Sequence, residues 1–333
     1  MEKREYYSRS RSILRIVSFL NLSTVMGATA IAGDVKRVAI ITIVDTPQLV
    51  EVKDGIIKGL LDHGYIEGKN LKVNFQSAQG NFGTAQQIAR QFVGEAPDVI
   101  ISITTGASQA VVAATKDLPV IFTTVTDPVS AKLVSNKTRP GGNVSGVSDV
   151  VPTERQIGLV KQIIPDLKTL GLLYDSAADN SRASAESIKA LGPKMGFKVI
   201  EAAAMGLNNV PSAAQSLVGR VDAIFVPNDA TVYAAFDSVV KVAQDARVPL
   251  FSAERRSVQR GSIGTVGFDF GQIGVKTADM VAKVLSGTKP GDLDVIYMEN
   301  EPGALGLYLN KASAEKMGVT IPRELLDRAA IVF

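Results

Sequence analysis

The sequence predicts an α/β protein of two doubly wound lobes, each a parallel sheet covered by helices. Three observations carry that expectation. From Lys36 onward, short β-rich apolar runs alternate with stretches of helical periodicity, the pattern of parallel strands joined by crossover helices. The 333 residues, 46% of them apolar, are enough for two hydrophobic cores at roughly 150 residues per domain. The chain also echoes itself. Gln91-Phe-Val-Gly-Glu-Ala-Pro-Asp98-Val-Ile-Ile, a helix and Leu118-Pro-Val-Ile-Phe122 are answered, with one gap, by Ser216-Leu-Val-Gly-Arg-Val-Asp222-Ala-Ile-Phe, a helix and Val248-Pro-Leu-Phe251. Duplicated lobes meeting near the Gly-rich stretch Pro140 to Gly146 account for the echo.

The elements follow in order. Residues 1–32 read as a secretory signal: a basic start ending at Arg15, an apolar stretch from Ile16 to about Ala28, and small residues at Ala28, Ala30 and Ala32 that fit an A-x-A cleavage site. Ser18, Asn21, Ser23 and Thr24 interrupt a run already short for a membrane span. Strands are expected at Val38 to Val44, Leu71 to Gln76, Val99 to Ile103, Val120 to Val125, Leu170 to Tyr174, Lys198 to Ala202, Ala223 to Val226 and Ser262 to Gly267. Their apolar runs are continuous because a parallel sheet is buried on both faces. Apolar residues at helical spacing place helices at Leu49 to Leu61, Ala85 to Val93, Ala183 to Leu191 and Val232 to Ala246.

In such sheets a ligand sits beyond the carboxyl ends of the strands. The loops there hold Thr104, Thr105, Ser108, Thr126 and Asp127 in the first lobe, and Asp175, Asn180, Asn228 and Asp229 in the second, with Asp269 after the next strand. Helix capping selects the same residue types, so it is their convergence on one cleft that points to binding.

Composition removes most catalytic chemistry. With no Cys and one His, the chain can make no disulfide, thiolate metal site, cysteine nucleophile, lipoprotein anchor or cluster of His ligands. The first strand exits as Val44-Asp-Thr-Pro-Gln48, without a dinucleotide fingerprint, and no P-loop follows any strand. His63 reads as a surface residue at a helix end, and Arg255-Arg256 as a charged helix flank. The net charge of +3 is confined to residues 1–32, whose removal leaves 31 basic and 31 acidic residues. That gives no basic stripe for nucleic acid. Binding without turnover is the expected activity, with no metal and no cofactor. An exported enzyme acting on a small polar substrate and a periplasmic sensory receptor are the alternatives.

Several segments in order resemble the solute-binding proteins of ABC importers in the tryptophan/tyrosine class. They include Gly64-Tyr-Ile-Glu-Gly-Lys-Asn70, Thr84-Ala-Gln-Gln-Ile-Ala89, Thr126-Asp-Pro128, Pro140-Gly-Gly-Asn-Val-Ser-Gly-Val-Ser-Asp149 and Gly267-Phe-Asp-Phe270. The resemblance implies the type I periplasmic binding protein fold, with three chain crossings as its hinge. Lobe 1 is then 33–147 plus 268–295, and lobe 2 is 148–267 plus 296–333. It also implies a monomer free in the periplasm that closes on a small amino-acid-like solute, an aromatic amino acid favoured. The closed form would dock transiently on a permease driven by an ATPase. The chain departs from the family pattern at Thr105-Gly106, Asn228-Asp229-Ala230 and Ala253-Glu254-Arg255-Arg256.

For an amino-acid zwitterion, the helix starting at Gly106, with Thr104, Thr105, Ser108 and Thr126, suits the carboxylate. Asp229 and Asp269 suit the ammonium, with Asp149 in reserve. Tyr174, Phe268 and Phe270 are the candidate aromatic walls, and Gly142, Gly146 and Gly267 the candidate hinge points. The mature chain should begin near Ile31 or Gly33. Mass measurement of the exported protein checks this, and an intact N-terminus on detergent-extracted protein would overturn it.

Overall fold

The computed structural model describes residues 35–333, so the expected signal segment lies outside the described residues. The first lobe begins with β1 (Lys36–Thr42), α1 (Pro47–Asp62), β2 (Leu71–Ser77), α2 (Phe82–Glu95), β3 (Val99–Ile103), α3 (Thr105–Ala114), β4 (Val120–Thr123) and β5 (Val144–Ser148). The chain then builds the second lobe with α4 (Thr153–Ile163), β6 (Thr169–Asp175), α5 (Asp179–Met195), β7 (Lys198–Ala204), α6 (Val210–Gln215), β8 (Ala223–Val226), α7 (Ala230–Ala234), α8 (Phe236–Ala246), β9 (Leu250–Ser252), α9 (Arg255–Arg260) and β10 (Gly264–Phe268). It returns as α10 (Phe270–Leu285) and β11 (Ile296–Tyr297), and ends with β12 (Leu305–Leu309), α11 (Lys311–Lys316), α12 (Arg323–Arg328) and β13 (Ile331–Val332).

The first sheet runs β2-β1-β3-β4-β5-β11 and the second β7-β6-β8-β9, every pairing in them parallel. A three-stranded sheet, β10-β12-β13, completes the second lobe. The order 2-1-3-4 thus recurs as 7-6-8-9, and the sequence echo falls on equivalent strands. Even the echoed aspartates do the same work. Asp98 Oδ2 accepts the N–H of Arg37 at 2.7 Å, while Asp222 Oδ2 accepts those of Lys168 and Thr169 at 2.8 and 2.7 Å. Each carboxylate ties the start of the third strand of its lobe to the start of the first.

Burial explains the continuous apolar runs. Along β1, Val38 and Ile40 pack with α1 and α10 on one face, while Ala39 and Ile41 pack with α2 and α3 on the other. Two expectations are corrected. The helix expected over Val232 to Ala246 is broken between α7 and α8 at Ala235, whose φ of −101° and ψ of 14° are not helical. Ile296 and Tyr297, expected in the second lobe, pair with Val147 and Ser148 in the first sheet, because a sixth parallel strand covers the otherwise open edge of β5.

The chain returns to the first lobe through a close helix crossing. A Cβ on Gly55 of α1 would overlap the carbonyl of Gly271, and one on Gly274 of α10 would overlap that of Val52. A Cβ on Gly59 would stand 2.6 Å from that of Ala278. Gly146, expected as a flexible joint, proves instead to be a packing requirement, since a Cβ there would meet the carbonyl and ring of Phe122. Gly142, by contrast, does adopt a left-handed φ of 69°, the conformation in which glycine costs least.

Gly55→Ala and Gly274→Ala should each lower unfolding stability by roughly 1–3 kcal/mol, the usual cost of overpacking. Gly94→Ala, on α2 with nothing within 4 Å of the added carbon, should raise it by about 0.5–1 kcal/mol. Urea midpoints at unchanged slope check all three.

Candidate functional site

The carboxyl ends of both parallel sheets face one cavity, and its walls come from both lobes. From the first lobe, Ile43 follows β1, Gln48 and Leu49 open α1, Thr104 to Gly106 follow β3, Thr124 and Thr126 follow β4, and Asp149 follows β5. From the second, Ala178 and Asn180 follow β6, and Asn228 to Thr231 follow β8, with Tyr233 one turn further. Phe270, the first residue of the returning α10, closes the wall.

Two threonines on this wall hold a backbone that β-branched residues rarely adopt. Thr104 has φ 83° and Thr124 φ 51°, a strain of order 1–3 kcal/mol each that persists where surrounding structure enforces it. The enforcement is visible. The N–H of Thr104 is held by the carbonyl of Thr123 at 3.0 Å and by Thr124 Oγ1 at 3.2 Å. Its carbonyl accepts from the Ser108 hydroxyl at 2.7 Å. Ser108 therefore braces the start of α3 and does not line the cavity.

Four wall residues carry buried polar atoms without a protein partner: Gln48 Oε1, Thr104 Oγ1, Thr105 Oγ1 and Asn228 Oδ1. Buried polar groups are paired in folded proteins as a strong rule. Four such exceptions share the wall of this cavity.

The acidic residues divide by what already occupies their oxygens. Asp229 is buried and caps α7: Oδ1 accepts the N–H of Val232 at 2.9 Å and Oδ2 that of Asp175 at 2.6 Å. Burial raises its pKa against those two donors. Asp149 is buried as well, yet it accepts only longer bonds, from Thr126 Oγ1 at 3.4 Å and Asn228 Nδ2 at 3.3 Å. Burial, with the Thr126 hydroxyl and a backbone N–H acting against it, pushes its pKa up to about 6. Asp269 does not line the cavity. It caps α10 through Gly271 N at 2.9 Å and pairs with Arg255 at 3.4 Å. Of the two carboxylates on the cavity wall, Asp149, expected as a reserve, is thus the one with only long hydrogen bonds, while the expected pair, Asp229 and Asp269, serve as helix caps.

The remaining expected residues separate likewise. Thr105, Thr126, Asn180 and Asn228 line the cavity, and Asn180 Nδ2 donates to the carbonyl of Asn228 at 2.7 Å. Asp127 turns to an adjacent cavity that shares Thr126 and Asn228 with the first, and there it fixes a turn through Ser130 Oγ at 2.6 Å. Asp175 caps its own loop at Ala177 N, 2.9 Å away. Of the expected aromatic walls, Phe270 is one, while Tyr174 and Phe268 are core residues of the second and first lobes. Gln48, Leu49 and Tyr233 were not expected. Gln48 and Leu49 follow Pro47 in the first turn of α1, a position that its apolar pattern shows only as helix, and Tyr233 carries no sequence signal separating wall from core. His63 lies at the surface, 2.8 Å from Asp279.

Among the described residues no helix is long and apolar enough to cross a membrane, and no group of three His, Asp or Glu side chains is placed to hold a metal ion.

A family model described as ABC transporter substrate binding protein matches residues 37–333. The tyrosine-binding protein of Clostridioides difficile (strain R20291) is 36% identical over 288 residues, 85% of this chain and 84% of that protein. A conserved domain protein from Vibrio cholerae O1 biovar El Tor has a solved structure that matches with TM-score 0.87 at 43% identity, covering 90% of this chain and all of that one. An ABC domain from Streptococcus pneumoniae in complex with L-Trp matches with TM-score 0.85 at 34% identity, over 90% and 99% of the two chains. The ligand-free, open structure of a substrate-binding protein with adhesive properties from Clostridium difficile matches with TM-score 0.66 at 34% identity, over 87% and 97%. The fold, the two-lobed cavity and these likenesses agree: this chain belongs to the substrate-binding proteins of ABC transporters.

Proposed function

We propose that this protein is the periplasmic receptor of an importer, a monomer that closes over one aromatic amino acid, releases it unchanged and docks on the permease in its closed form. The observation that carries the reading is the cavity walled by both lobes, with four buried polar atoms left without partners.

The chemistry of the wall suits a zwitterion. The first turn of α3 offers backbone N–H groups without intrahelical partners and the positive end of the helix dipole. Thr104 and Thr105 add hydroxyls, so a ligand carboxylate is stabilised there. Asp149 faces the same space with oxygens that make only long bonds, and an ammonium group would hold it ionised. Ile43, Leu49, Tyr233 and Phe270 supply an apolar, partly aromatic surface for a side chain. The names of the relatives point the same way, toward tyrosine and L-Trp. Closure has its own support: at the same 34% identity, the likeness to the L-Trp complex has TM-score 0.85 and that to the ligand-free open structure 0.66.

Calorimetry with the free amino acids, followed by mass spectrometry of the ligand recovered from the complex, tests the proposal. Tyrosine or tryptophan should bind and return intact. Failure of every amino acid at millimolar concentration overturns the ligand class, and a chemically altered ligand overturns the absence of catalysis.

The pH dependence follows from Asp149. Its raised pKa means that the ligand-free protein takes up a proton as pH falls through about 6, and the neutral carboxyl is a poor partner for an ammonium. Affinity should therefore fall by about tenfold per unit below pH 6. Asp149→Asn should weaken binding by about ten- to a hundredfold at pH 7.5 and remove that slope. The sign for stability is opposite. The cost of burying the ionised carboxylate is present above pH 6 and is lost below it. Ligand-free Asp149→Asn should thus melt no lower than wild type at pH 7.5, which separates a binding role from a structural one.

A further inference from the structure

We infer that Glu51, Arg255 and Arg256 form an ionic clasp between the lobes that holds the cleft shut. Glu51 lies on α1 of the first lobe, one helical turn past Gln48 on the cavity wall. Arg255 and Arg256 open α9 of the second lobe. Arg255 Nη2 reaches both carboxylate oxygens of Glu51, at 3.3 and 3.2 Å, and Arg256 pairs with the same carboxylate. The free Nη1 of Arg255 pairs with Asp269 at the start of α10, 3.4 Å away. Two cations of the second lobe therefore meet Glu51 on α1 and Asp269, the capping residue before α10, outside the cavity.

The arrangement is built rather than incidental. Glu254 is buried and caps α9, accepting the N–H groups of Arg256 and Ser257 at 2.6 and 2.7 Å, so the backbone of the arginine pair is fixed from beneath. The Arg255 guanidinium also stands 5.9 Å from the ring centroid of Tyr308, on β12 of its own lobe. The side chains of Glu51 and Arg255 are each only 19% exposed. At such a site, unlike at an open surface, a charge left without its partner is expensive. Opening the cleft separates the charges but returns each of them to water, so removing one partner penalises the closed form far more than the open one. The Arg255-Arg256 pair thereby acquires a role: it sets the population of the closed state and not the choice of ligand.

The inference rests on the closure proposed above but not on the identity of the ligand, and the experiment keeps the two apart. The chain has no cysteine, so Gln86→Cys on α2 and Lys241→Cys on α8, both exposed, give one spin label on each lobe. Inter-lobe distances measured by pulsed electron resonance without added ligand should show a short-distance population. Glu51→Gln should shrink that population several-fold, and Arg256→Gln should shift it in the same direction. Raising the sodium chloride concentration should deplete it in wild type while leaving Glu51→Gln little changed. L-tyrosine and L-tryptophan should both bind Glu51→Gln about tenfold more weakly, by the same factor and mainly through faster release. Identical distance distributions in wild type and Glu51→Gln overturn the clasp, as does a change in the ratio of the two affinities. If neither amino acid binds wild type, the proposed ligand fails while the distance measurement still decides the clasp.

Discussion

The architecture turns on a place where side chains are missing. Helices α1 and α10 cross so closely that Gly55, Gly59 and Gly274 are in contact with the backbone or the Cβ atoms of the opposite helix. Dispersion falls steeply with distance, so a crossing at backbone contact adds packing that larger residues would prevent. Two buried rows flank it, including Val52, Ile56 and Leu60 on one helix and Ile273, Met280 and Val281 on the other. This contact brings a segment more than two hundred residues downstream back onto the first sheet. Once it is made, the chain must cross between the lobes three times, after β5, after β10 and after β11. Asp149 and Phe270 are carried to the cavity by the first and second of those crossings.

The cavity inherits its chemistry from that geometry. Because the strands of both sheets are parallel, all of their carboxyl ends point at the same gap, and helix starts crowd around it. Most carboxylates there are consumed by capping: Asp229, Asp269 and Glu254 each hold the first N–H groups of a helix. Asp149 escapes this fate because it leaves β5 and enters a loop, with α4 beginning only at Thr153. Its neighbours are a hydroxyl and an amide at long range, so burial dominates and its proton is held to about pH 6. Strain at Thr104 and Thr124 belongs to the same design. Each backbone is forced into a left-handed conformation on the cavity wall, and the two residues brace one another through a hydrogen bond.

In the reading proposed above, binding and closure fall to separate residues. The partnerless atoms of Gln48, Thr104, Thr105 and Asn228 lie on the cavity wall. The charges of Glu51, Arg255 and Arg256 lie outside it and respond to the distance between lobes. α1 carries both kinds of group, at Gln48 and Glu51, one turn apart.

The sequence by itself determined the class of fold and the neighbourhood of the site. Continuous apolar strands such as Val99 to Ile103 need two covered faces, and only alternating helices supply them. The echo around Asp98 and Asp222 marked the duplicated lobe because each aspartate ties the start of its lobe's third strand to the start of the first, across 61 and 54 residues of chain. Thr104, Thr105, Thr126 and Asn228 were legible as cavity residues because strand ends are. Tertiary structure alone decided which carboxylate accepts only long hydrogen bonds. Asp149, Asp229 and Asp269 look alike in sequence, and they differ in burial, in charged partners and in the backbone N–H groups that the fold brings to each. It also decided that Arg255-Arg256, a plain charged helix flank in sequence, meets Glu51 two hundred residues away. Such pairings depend on the relative position of two lobes, and local propensity carries no information about that distance.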